Sequence, residues 1–401
     1  MSPKQSLRPI LLSSVAALAL GQASPALAQC VFTPTAGDDL HICDSGTSVG
    51  GLDDPGGNNQ LTLPAGGTGT LAGDVNFGGG ADIVVIDSGR IEGAVDQGNG
   101  DDSFSISAGT VTGQVQQGEG IDDFVMTGGE IDRLNQGGSM DTFQMTGGRI
   151  VDAFDDGDTA RMTGGRIGRV NMKLADNLFD MSGGIIDRNL VAGFGNDTII
   201  LSGGTIGGNI SVSGGTDSMT ITGGSVGGDV LMSVGTDSLV WDGGGVVHGT
   251  VDLGGDDDSA RLANLTNANL GGSPRITGGW AAMRWLTMSR WTGRALRRLE
   301  NIQATNDSEL TFDGLLTLGD AGTGTALELD ASSTIFGGAG KADRRLHGRR
   351  ARDADQRRTH RLTNAAMRRA TAYRRRRLCR NDGLLPIDTV LGDDASLPTS
   401  W

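Results

Sequence analysis

Aromatic residues make up only 4% of this 401-residue chain, and its middle part has no apolar spacing of the helical kind, at 3.6 residues. Zinc-ligand spacing, a Walker loop and an Arg-Gly-Asp tripeptide are also absent. Outside two Arg-rich segments the only histidines are His41 and His248, and Lys173 is the only lysine between the leader and Lys341. Histidine and lysine, two common general bases, are therefore rare, and the 48 acidic residues recur so regularly that no catalytic pair stands out.

A pair of small residues, usually Gly-Gly, recurs almost every twenty residues. The pairs are Ser88-Gly89, Ala108-Gly109, Gly128-Gly129, Gly147-Gly148, Gly164-Gly165, Gly183-Gly184, Gly203-Gly204, Gly223-Gly224 and Gly243-Gly244. The steps between them are 20, 20, 19, 17, 19, 20, 20 and 20 residues. Self-similarity at a fixed short period is typical of a solenoid, in which each unit buries its apolar face only against its neighbours.

Apolar residues keep fixed positions relative to each pair. Two residues before it stand Ile86, Ile106, Met126, Met145, Met162, Met181, Leu201, Ile221 and Trp241, and three residues after it stand Ile91, Val111, Ile131, Ile150, Ile167, Ile186, Ile206, Val226 and Val246. Residues four before the pair are also apolar, as a strand with one inward face requires. Short strands separated by glycine corners predict an all-β fold, a right-handed parallel β-helix with coils of about 20 residues.

The N-terminus has the pattern of a secretory signal peptide. Lys4 and Arg8 precede an apolar run, and Ala26-Leu27-Ala28 is a cleavage site of the A-x-A type. Export through the inner membrane follows, with a final location at the cell surface, in the outer membrane, in the medium or in the periplasm. Cys30 and Cys43 follow the cleavage site closely, and we expect them to form a disulfide that closes a small cap loop.

Two segments interrupt the repeated sequence pattern. Residues 280–299 contain three of the five tryptophans and five arginines without any acid, and residues 341–380 hold sixteen basic residues against three aspartates, although the whole chain carries a net charge of −15. Their sharp edges suggest translation of a GC-rich gene in a wrong frame; a grafted basic arm is the alternative. Neither segment should continue the β-helix, and we expect loops or short helices there. The acidic remainder argues against a nucleic-acid partner.

The leader, the cysteine-bounded cap, the Met-Thr-Gly-Gly-x-Ile coils and the closing stretch Thr389–Ser396 together resemble the passenger of a classical, type V autotransporter of Gram-negative bacteria. The resemblance implies a β-helical rod displayed at the cell surface by a translocator barrel, and this chain stops before any such barrel. We therefore divide it into a signal peptide (1–28), a cap (29–60), β-helix repeats (61–279), an anomalous Trp-rich segment (280–299), a β-helix continuation (300–340), an Arg-rich segment (341–380) and a truncated end (381–401).

An aspartate recurs six positions before each pair, with Asn177 as the one exception. Several of these lie in Gly-x-Gly-x-Asp, which resembles half of the calcium-binding nonapeptide of RTX proteins. Calcium at Asp102, Asp122, Asp197, Asp217 and Asp237 is one interpretation, and Asp257 falls one step further on. The other is a turn in which each carboxylate accepts local N–H bonds and faces solvent, with no cofactor at all.

The sequence predicts a binding protein without catalytic chemistry. We expect an autotransporter passenger that acts as an adhesin or in self-association, and whose partner is a host surface or matrix component or another passenger. Two alternatives stay open: a polysaccharide-degrading β-helix enzyme, which would need a distinct carboxylate pair in a groove, and a non-functional remnant of a frame-disrupted gene.

Overall fold

The chain folds as a parallel β-solenoid of about 11 turns with about 20 residues per turn, which confirms the predicted all-β parallel β-helix. The computed structural model describes residues 30–256 and 258–265, the 3₁₀ turn Asn267–Leu270, and the backbone of seven further strands between residues 276 and 377. Residues 1–29, which include the predicted signal peptide, and residues 378–401, which include the predicted end of the passenger, lie outside the described part.

The coil has three strand positions, and strands at the same position pair in parallel along the rod. The first position, before the glycine pair, comprises Leu40–Ile42, Gln60–Leu63, Ile83–Ile86, Ser103–Ile106, Asp123–Met126, Thr142–Met145, Thr159–Met162, Leu178–Met181, Thr198–Leu201, Ser218–Ile221, Ser238–Asp242 and Ser259–Leu265. The second, after the pair, comprises Thr70–Leu71, Arg90–Ile91, Ile185–Ile186, Thr205–Ile206, Ser225–Val226 and Val246–Val247. The third comprises Leu52–Asp53, Val75–Asn76, Val95–Asp96, Leu190–Phe194, Ile210–Gly215, Val230–Leu231 and Val251–Asp252.

In four coils the second and third strands merge into one bent strand. These are Thr110–Glu119, Glu130–Gly138, Arg149–Asp155 and Arg166–Asn171. In three of their pairings the register shifts by a residue near the bend, for example between Val111 and Gln114. A short strand, Val234–Gly235, pairs with the end of Ile210–Gly215.

The core is a set of inward rows, one residue per coil. The predicted row from Ile86 to Trp241 is in direct register, and each of its side chains is at most 1% exposed. Beside it Phe104, Phe124 and Phe143 stack with ring centroids 5.2 and 5.5 Å apart. Identical residues in register on successive coils lie about one inter-strand distance apart, which lets their rings stack in the narrow core.

The spacing predicts Val246 in the second inward row, but Val247 occupies that position in the structure. Val247 pairs with Val226 and is fully buried, while Val246 pairs with Ser225 and is half-buried. The cause is the third glycine of Gly243-Gly244-Gly245, which adds one residue to this corner. The same insertion moves the acidic position from Asp257 to Asp258.

The glycine corners are sterically required. Gly148 has a φ of +82°, and a Cβ atom there would lie 2.6 Å from the carbonyl oxygen of Gly128 in the preceding coil. A Cβ on the neighbouring Gly147 would lie 2.4 Å from the oxygen of Thr127. Since L-residues rarely adopt this φ and no side chain fits the space, the pair sets both the turn and the close stacking of coils.

The segment 280–299 differs from expectation. The strand Ile276–Met288 pairs in parallel with Ser259–Leu265, and Trp291–Ala304 pairs in parallel with Ile276–Met288. Parallel strand pairing uses backbone N–H and C=O groups, and every residue except proline has both. The pairing can therefore extend through a segment that lacks the repeated glycine pairs. The strands Glu309–Leu318, Ala326–Leu329 and Thr334–Gly337 continue in the same sense.

Within 341–380 the described residues form two short strands, His360–Leu362 and Arg376–Arg377. Both pair antiparallel, with Glu309–Leu318 and Ala326–Leu329, so they are not further coils. Among the residues that the structure describes, no helix is long and apolar enough to cross a membrane.

Replacing Met145 tests the inward row. Met145→Asp buries an unpaired charge, and we expect the free energy of unfolding to fall by on the order of 3–5 kcal/mol. Gln144→Asp is the matched control, because Gln144 is the exposed neighbour on the same strand and its replacement should cost no more than about 0.5 kcal/mol. Denaturant unfolding of both variants provides the measurement. An equal loss in the two variants would argue against a buried Met145.

Candidate functional site

The most regular polar feature of the interior is a row of acidic side chains beside the first strand of each coil. We call it the aspartate row; it comprises Asp82, Asp102, Asp122, Asp141, Asp158, Asp197, Asp217, Asp237 and Asp258, with Asn59 and Asn177 at the same position. All of them except Asp158 are at most 2% exposed. Carboxylates this deeply buried are rare unless they are paired.

Each carboxylate of the row binds the backbone of the coil before it. The N–H of Asp82 donates to Oδ1 of Asp102 at 2.7 Å, and the N–H of Asp102 donates to Oδ1 of Asp122 at 2.8 Å. The same bond recurs at 2.8 Å from Asp197 to Asp217 and at 2.9 Å from Asp217 to Asp237. The row therefore holds successive coils together at a point where the backbone N–H groups face inward.

The second oxygen of these carboxylates has no such donor. Oδ2 of Asp82, Asp102, Asp122, Asp141, Asp197, Asp217 and Asp237 is buried without a hydrogen-bond partner among the described residues. Oε1 of Gln97 and of Gln136, which lie in an adjacent buried row with Gln117, is in the same state. The interior beside the row thus has acceptors in excess of donors, which suits a proton on the carboxyl or a bound cation.

Burial is the main reason why the carboxyl groups of the row hold protons more tightly than usual. It raises the pKa of Asp102 and of Asp141 to about 7, and repulsion from neighbouring carboxylates adds to the rise. The pKa values of Asp122 and Asp217 rise to about 6 for the same reasons. The hydrogen bond from the preceding coil acts in the opposite direction and is outweighed.

Two asparagines show what the position requires. Asn59 stands at the row position of its coil, and its Oδ1 accepts the N–H of Asp39 at 3.1 Å. Asn177 donates its own N–H to Asp197 at 2.9 Å, while its side-chain amide donates to the carbonyl of Ala192 at 3.2 Å. Oδ1 of Asn177 is buried without a hydrogen-bond partner among the described residues, so only Asn59 keeps the acceptor role. An uncharged amide therefore fits this position, which does not require a charge.

The structure brings the five predicted calcium ligands into this one row but corrects their setting. Asp102, Asp122, Asp197, Asp217 and Asp237 point inward and accept bonds from another coil, whereas the turn interpretation had them facing solvent with local bonds. The sequence could not show this, because the donor lies about twenty residues away. Calcium at the row stays a prediction; the unpartnered oxygens are of the type that this ion prefers.

The Gly-x-Gly turn that precedes Asp82, Asp102, Asp122 and Asp197 has a structural cause. Gly100 has a φ of +138°, and a Cβ there would lie 1.6 Å from the carbonyl oxygen of Gly80. Gly98 has a φ of +93° and would place a Cβ 2.2 Å from the oxygen of Gly78. The turn backbone therefore stacks directly on the turn of the preceding coil, which brings the carboxylate within reach of that coil's N–H.

The cap closes the first coil. Cys30 and Cys43 form a disulfide with a Cα–Cα distance of 4.2 Å, and both residues are buried against the first inward rows. The N–H of Cys30 donates to the carbonyl of Ser45, and the N–H of Cys43 donates to that of Thr62 in the following coil. The cap residues thus join the rod at its open end.

A second regular feature lies on the outside and was missed from the sequence. The residue just before each glycine pair carries a hydroxyl in seven consecutive coils, and all seven are exposed: Ser107, Thr127, Thr146, Thr163, Ser182, Ser202 and Thr222. We call this line the hydroxyl row. The hydroxyl row lies beside a strip of surface formed by the glycine pairs. At about 4.8 Å per coil, the row extends over about 29 Å. The signal was present in the sequence as Ser or Thr before Gly-Gly.

The shortest coil creates a groove. Only 17 residues separate Met145 from Met162, and Asp156, with a φ of +58°, lies at the turn where several other coils have Gly-x-Gly. A groove of about 630 Å³ results, and its lining includes the carboxylates of Asp96, Glu119, Asp156 and Asp158. Lys173 forms an ion pair with Asp156.

Ion pairs cluster on the same coils. Asp152 accepts hydrogen bonds from Arg133 at 2.5 Å and from Arg188 at 2.6 Å, and these bonds lower the pKa of its carboxyl to about 2. Arg169 binds the largely buried Asp155 at 2.8 Å. This network spans four coils beside the bend of the merged strands, so it reinforces the part of the rod that contains the shortest coil.

Neither the protein-family models nor the curated proteins yield a match to this chain. Among solved structures it is similar to the crystal structure of a hyperactive, Ca²⁺-dependent, β-helical antifreeze protein from an Antarctic bacterium. The identity is 19%, the match covers 79% of this chain and 86% of that chain, and the TM-score is 0.42.

Replacing Asp102 tests whether its row position needs a hydrogen-bond acceptor or a negative charge. Asp102→Asn keeps an acceptor for the N–H of Asp82, and we expect a loss of no more than about 1 kcal/mol. Asp102→Ala leaves that N–H buried without a partner and should cost about 1–3 kcal/mol more. Asp96→Ala, at an exposed position on the third strand, serves as the control. Chemical denaturation gives the three values; identical stabilities of the Asn and Ala variants would show that the bond between coils contributes nothing.

Calcium should stabilise the folded chain by binding to the aspartate row. At neutral pH we expect the chain to melt at a higher temperature in calcium than in EDTA, because a divalent cation neutralises the carboxylates and supplies a partner for the free oxygens. Magnesium is the control ion, and the variant Asp102→Asn with Asp122→Asn should show a smaller rise. Equal melting in calcium and in EDTA would leave the row as a purely hydrogen-bonding feature.

Proposed function

We propose that this chain is a secreted or surface-exposed binding protein, the rod-shaped passenger of a type V autotransporter, acting as an adhesin. The hydroxyl row carries the proposal. The leader pattern and the disulfide-closed cap support a location outside the cytosol, where such a bond persists. The activity proposed is non-covalent binding along the side of the rod.

The hydroxyl row suits a ligand with its own repeat. A hydroxyl has one donor and two acceptor positions, and the row repeats this group at the spacing of the coils. The hydroxyls of Ser107 and Ser202 already donate within the rod, to Oδ1 of Asp87 and to the carbonyl oxygen of Met181. The glycine corners beside it carry no side chains, so an extended polymer can lie against the backbone there. A polysaccharide chain has hydroxyls at a regular interval and matches this surface in chemistry and in shape. We therefore place a glycan of a host surface or matrix on the row.

Association with a second passenger is part of the same proposal. Large apolar side chains are exposed along the edge formed by the turns: Ile121, Met140, Leu174, Phe194 and Val234, which are between 55% and 74% exposed. A line of this kind supports contact between two rods. Sedimentation analysis of the purified chain distinguishes this form of binding from binding to a glycan.

One observation favours a different function. The groove at the short coil is lined by Glu119, Asp156 and Asp158, and a carboxylate pair in a groove is what a polysaccharide-cleaving enzyme needs. Release of new reducing ends from a polysaccharide, lost in Glu119→Gln, would establish this second candidate in place of the first.

The experiment replaces hydroxyls by methyls without change of shape. Thr127, Thr146 and Thr163 are changed together to Val, and the control variant carries Val at Thr112, Thr216 and Thr250, which lie outside the row. Binding is measured to immobilised cellulose, chitin and dextran. We expect the row variant to bind at least about tenfold more weakly, since several hydrogen bonds are lost at about 0.5–1.5 kcal/mol each, and the control to bind like the original chain.

Two results would contradict the proposal. One is unchanged binding by the row variant; the other is an equal loss in both variants, which would place the ligand elsewhere on the rod. Circular dichroism of each variant confirms that the β fold is kept.

A further inference from the structure

The cap contains a cluster of ionisable side chains that the aspartate row and the hydroxyl row do not include. His41 is the middle residue of the strand Leu40–Ile42, Asp39 precedes that strand, and Asp54 follows the strand Leu52–Asp53. The first coil brings the three together, and one ligand atom from each lies within 4.8 Å of the other two.

Two residues of this cluster are buried. His41 is 4% exposed and Asp54 is not exposed at all. Nε2 of His41 lies 2.7 Å from Oδ2 of Asp54. The His41 imidazole packs between two phenyl rings: Phe32 meets it edge-on at 5.6 Å, and Phe77 stacks on it at 6.4 Å. An apolar shell of this kind strengthens any charge interaction inside it.

The Asp54 carboxylate is only partly satisfied. Its Oδ1 is buried and has no hydrogen-bond partner among the described residues. A buried carboxylate oxygen without a donor is unfavourable. Of the nearby groups, Asn59 directs its amide to the backbone carbonyl of Asp54 and not to this oxygen. A group that accepts electron pairs from Oδ1 and from the imidazole at once would satisfy the cluster.

We propose that His41, Asp54 and Asp39 bind one divalent transition-metal ion, such as zinc, in the cap. Zinc–nitrogen and zinc–oxygen bonds of about 2.0–2.2 Å at tetrahedral angles place the ligand atoms about 3.3 Å apart. The pair of His41 and Asp54 is already closer than this, and the limit of 4.8 Å within the cluster requires only small side-chain movements.

Supporting contacts hold the outermost ligand in place. Oδ2 of Asp39 accepts the N–H of Thr35 at 2.6 Å, which holds this carboxylate in its orientation. Asp39 is half-buried, so the site opens to solvent on its side and leaves room for a water ligand.

The donor set separates this site from the aspartate row. An imidazole nitrogen is a ligand for zinc, copper, nickel or iron, whereas calcium and magnesium prefer oxygen ligands. The row consists of oxygen ligands alone. The cap should therefore bind zinc in the presence of calcium. A bound ion would join residues 39, 41 and 54 and, together with the disulfide, fasten the open end of the solenoid.

The test uses the chain from residue 29 to 401, freed of metal with a chelator and kept in calcium. Zinc is titrated by calorimetry, and cobalt replaces zinc to give a visible absorption that reports nitrogen and oxygen ligands. We expect one zinc ion per chain. Asp39→Asn, at a half-buried position that tolerates the change, and His41→Gln should each weaken zinc binding at least tenfold. His248→Gln serves as the control and should bind like the original chain.

Zinc binding that His41→Gln and Asp39→Asn leave unchanged would overturn the proposal, as would the absence of one-to-one binding to the original chain. If His41→Gln fails to fold, Asp39→Asn and the cobalt spectrum of the original chain decide. A cobalt spectrum with oxygen ligands only would also refute the site, because it excludes the imidazole.

Discussion

The fold depends on one repeated interaction, the hydrogen bond from the backbone N–H of a row residue to the carboxylate of the next coil. At this position an N–H group faces the interior, where water does not reach it, and the aspartate side chain replaces water as its acceptor. The carboxylate is buried as a consequence. Its second oxygen then lacks a donor, so a proton or a cation has to neutralise it.

The glycines follow from the same constraint. For the carboxylate to reach the preceding coil, the turn before it must stack directly on the turn below, and the distances at Gly98 and Gly100 leave no space for a side chain. The glycine pairs at the other end of each first strand also stack closely on the preceding coil. Because glycine has no side chain, a strip of exposed backbone remains on the outside. The hydroxyl row borders that strip. A requirement of the interior thus determines the shape of the surface that we propose binds a glycan.

Much of this was readable in the sequence. The inward rows follow from period-two burial and the fixed distance to a glycine pair, so the spacing alone places Met145 and its partners. It misplaces Val246, because one added glycine shifts every later residue of the coil. The setting of Asp102 was also missed: aspartate is usually exposed, and its donor belongs to another coil. His41 and Asp54 lie thirteen residues apart, and only the folded first coil brings them together.

The pH dependence of stability is the most direct test of the aspartate row. In the folded chain the pKa values of Asp102 and Asp141 are raised to about 7, above those of the unfolded chain, so the folded form binds more protons between about pH 4 and about pH 7. In calcium-free buffer the free energy of unfolding should therefore decrease as the pH rises through this range. The variant with Asn at Asp102, Asp141 and Asp217 should show a flatter profile. A stability that rises with pH, or a profile unchanged in that variant, would contradict the account.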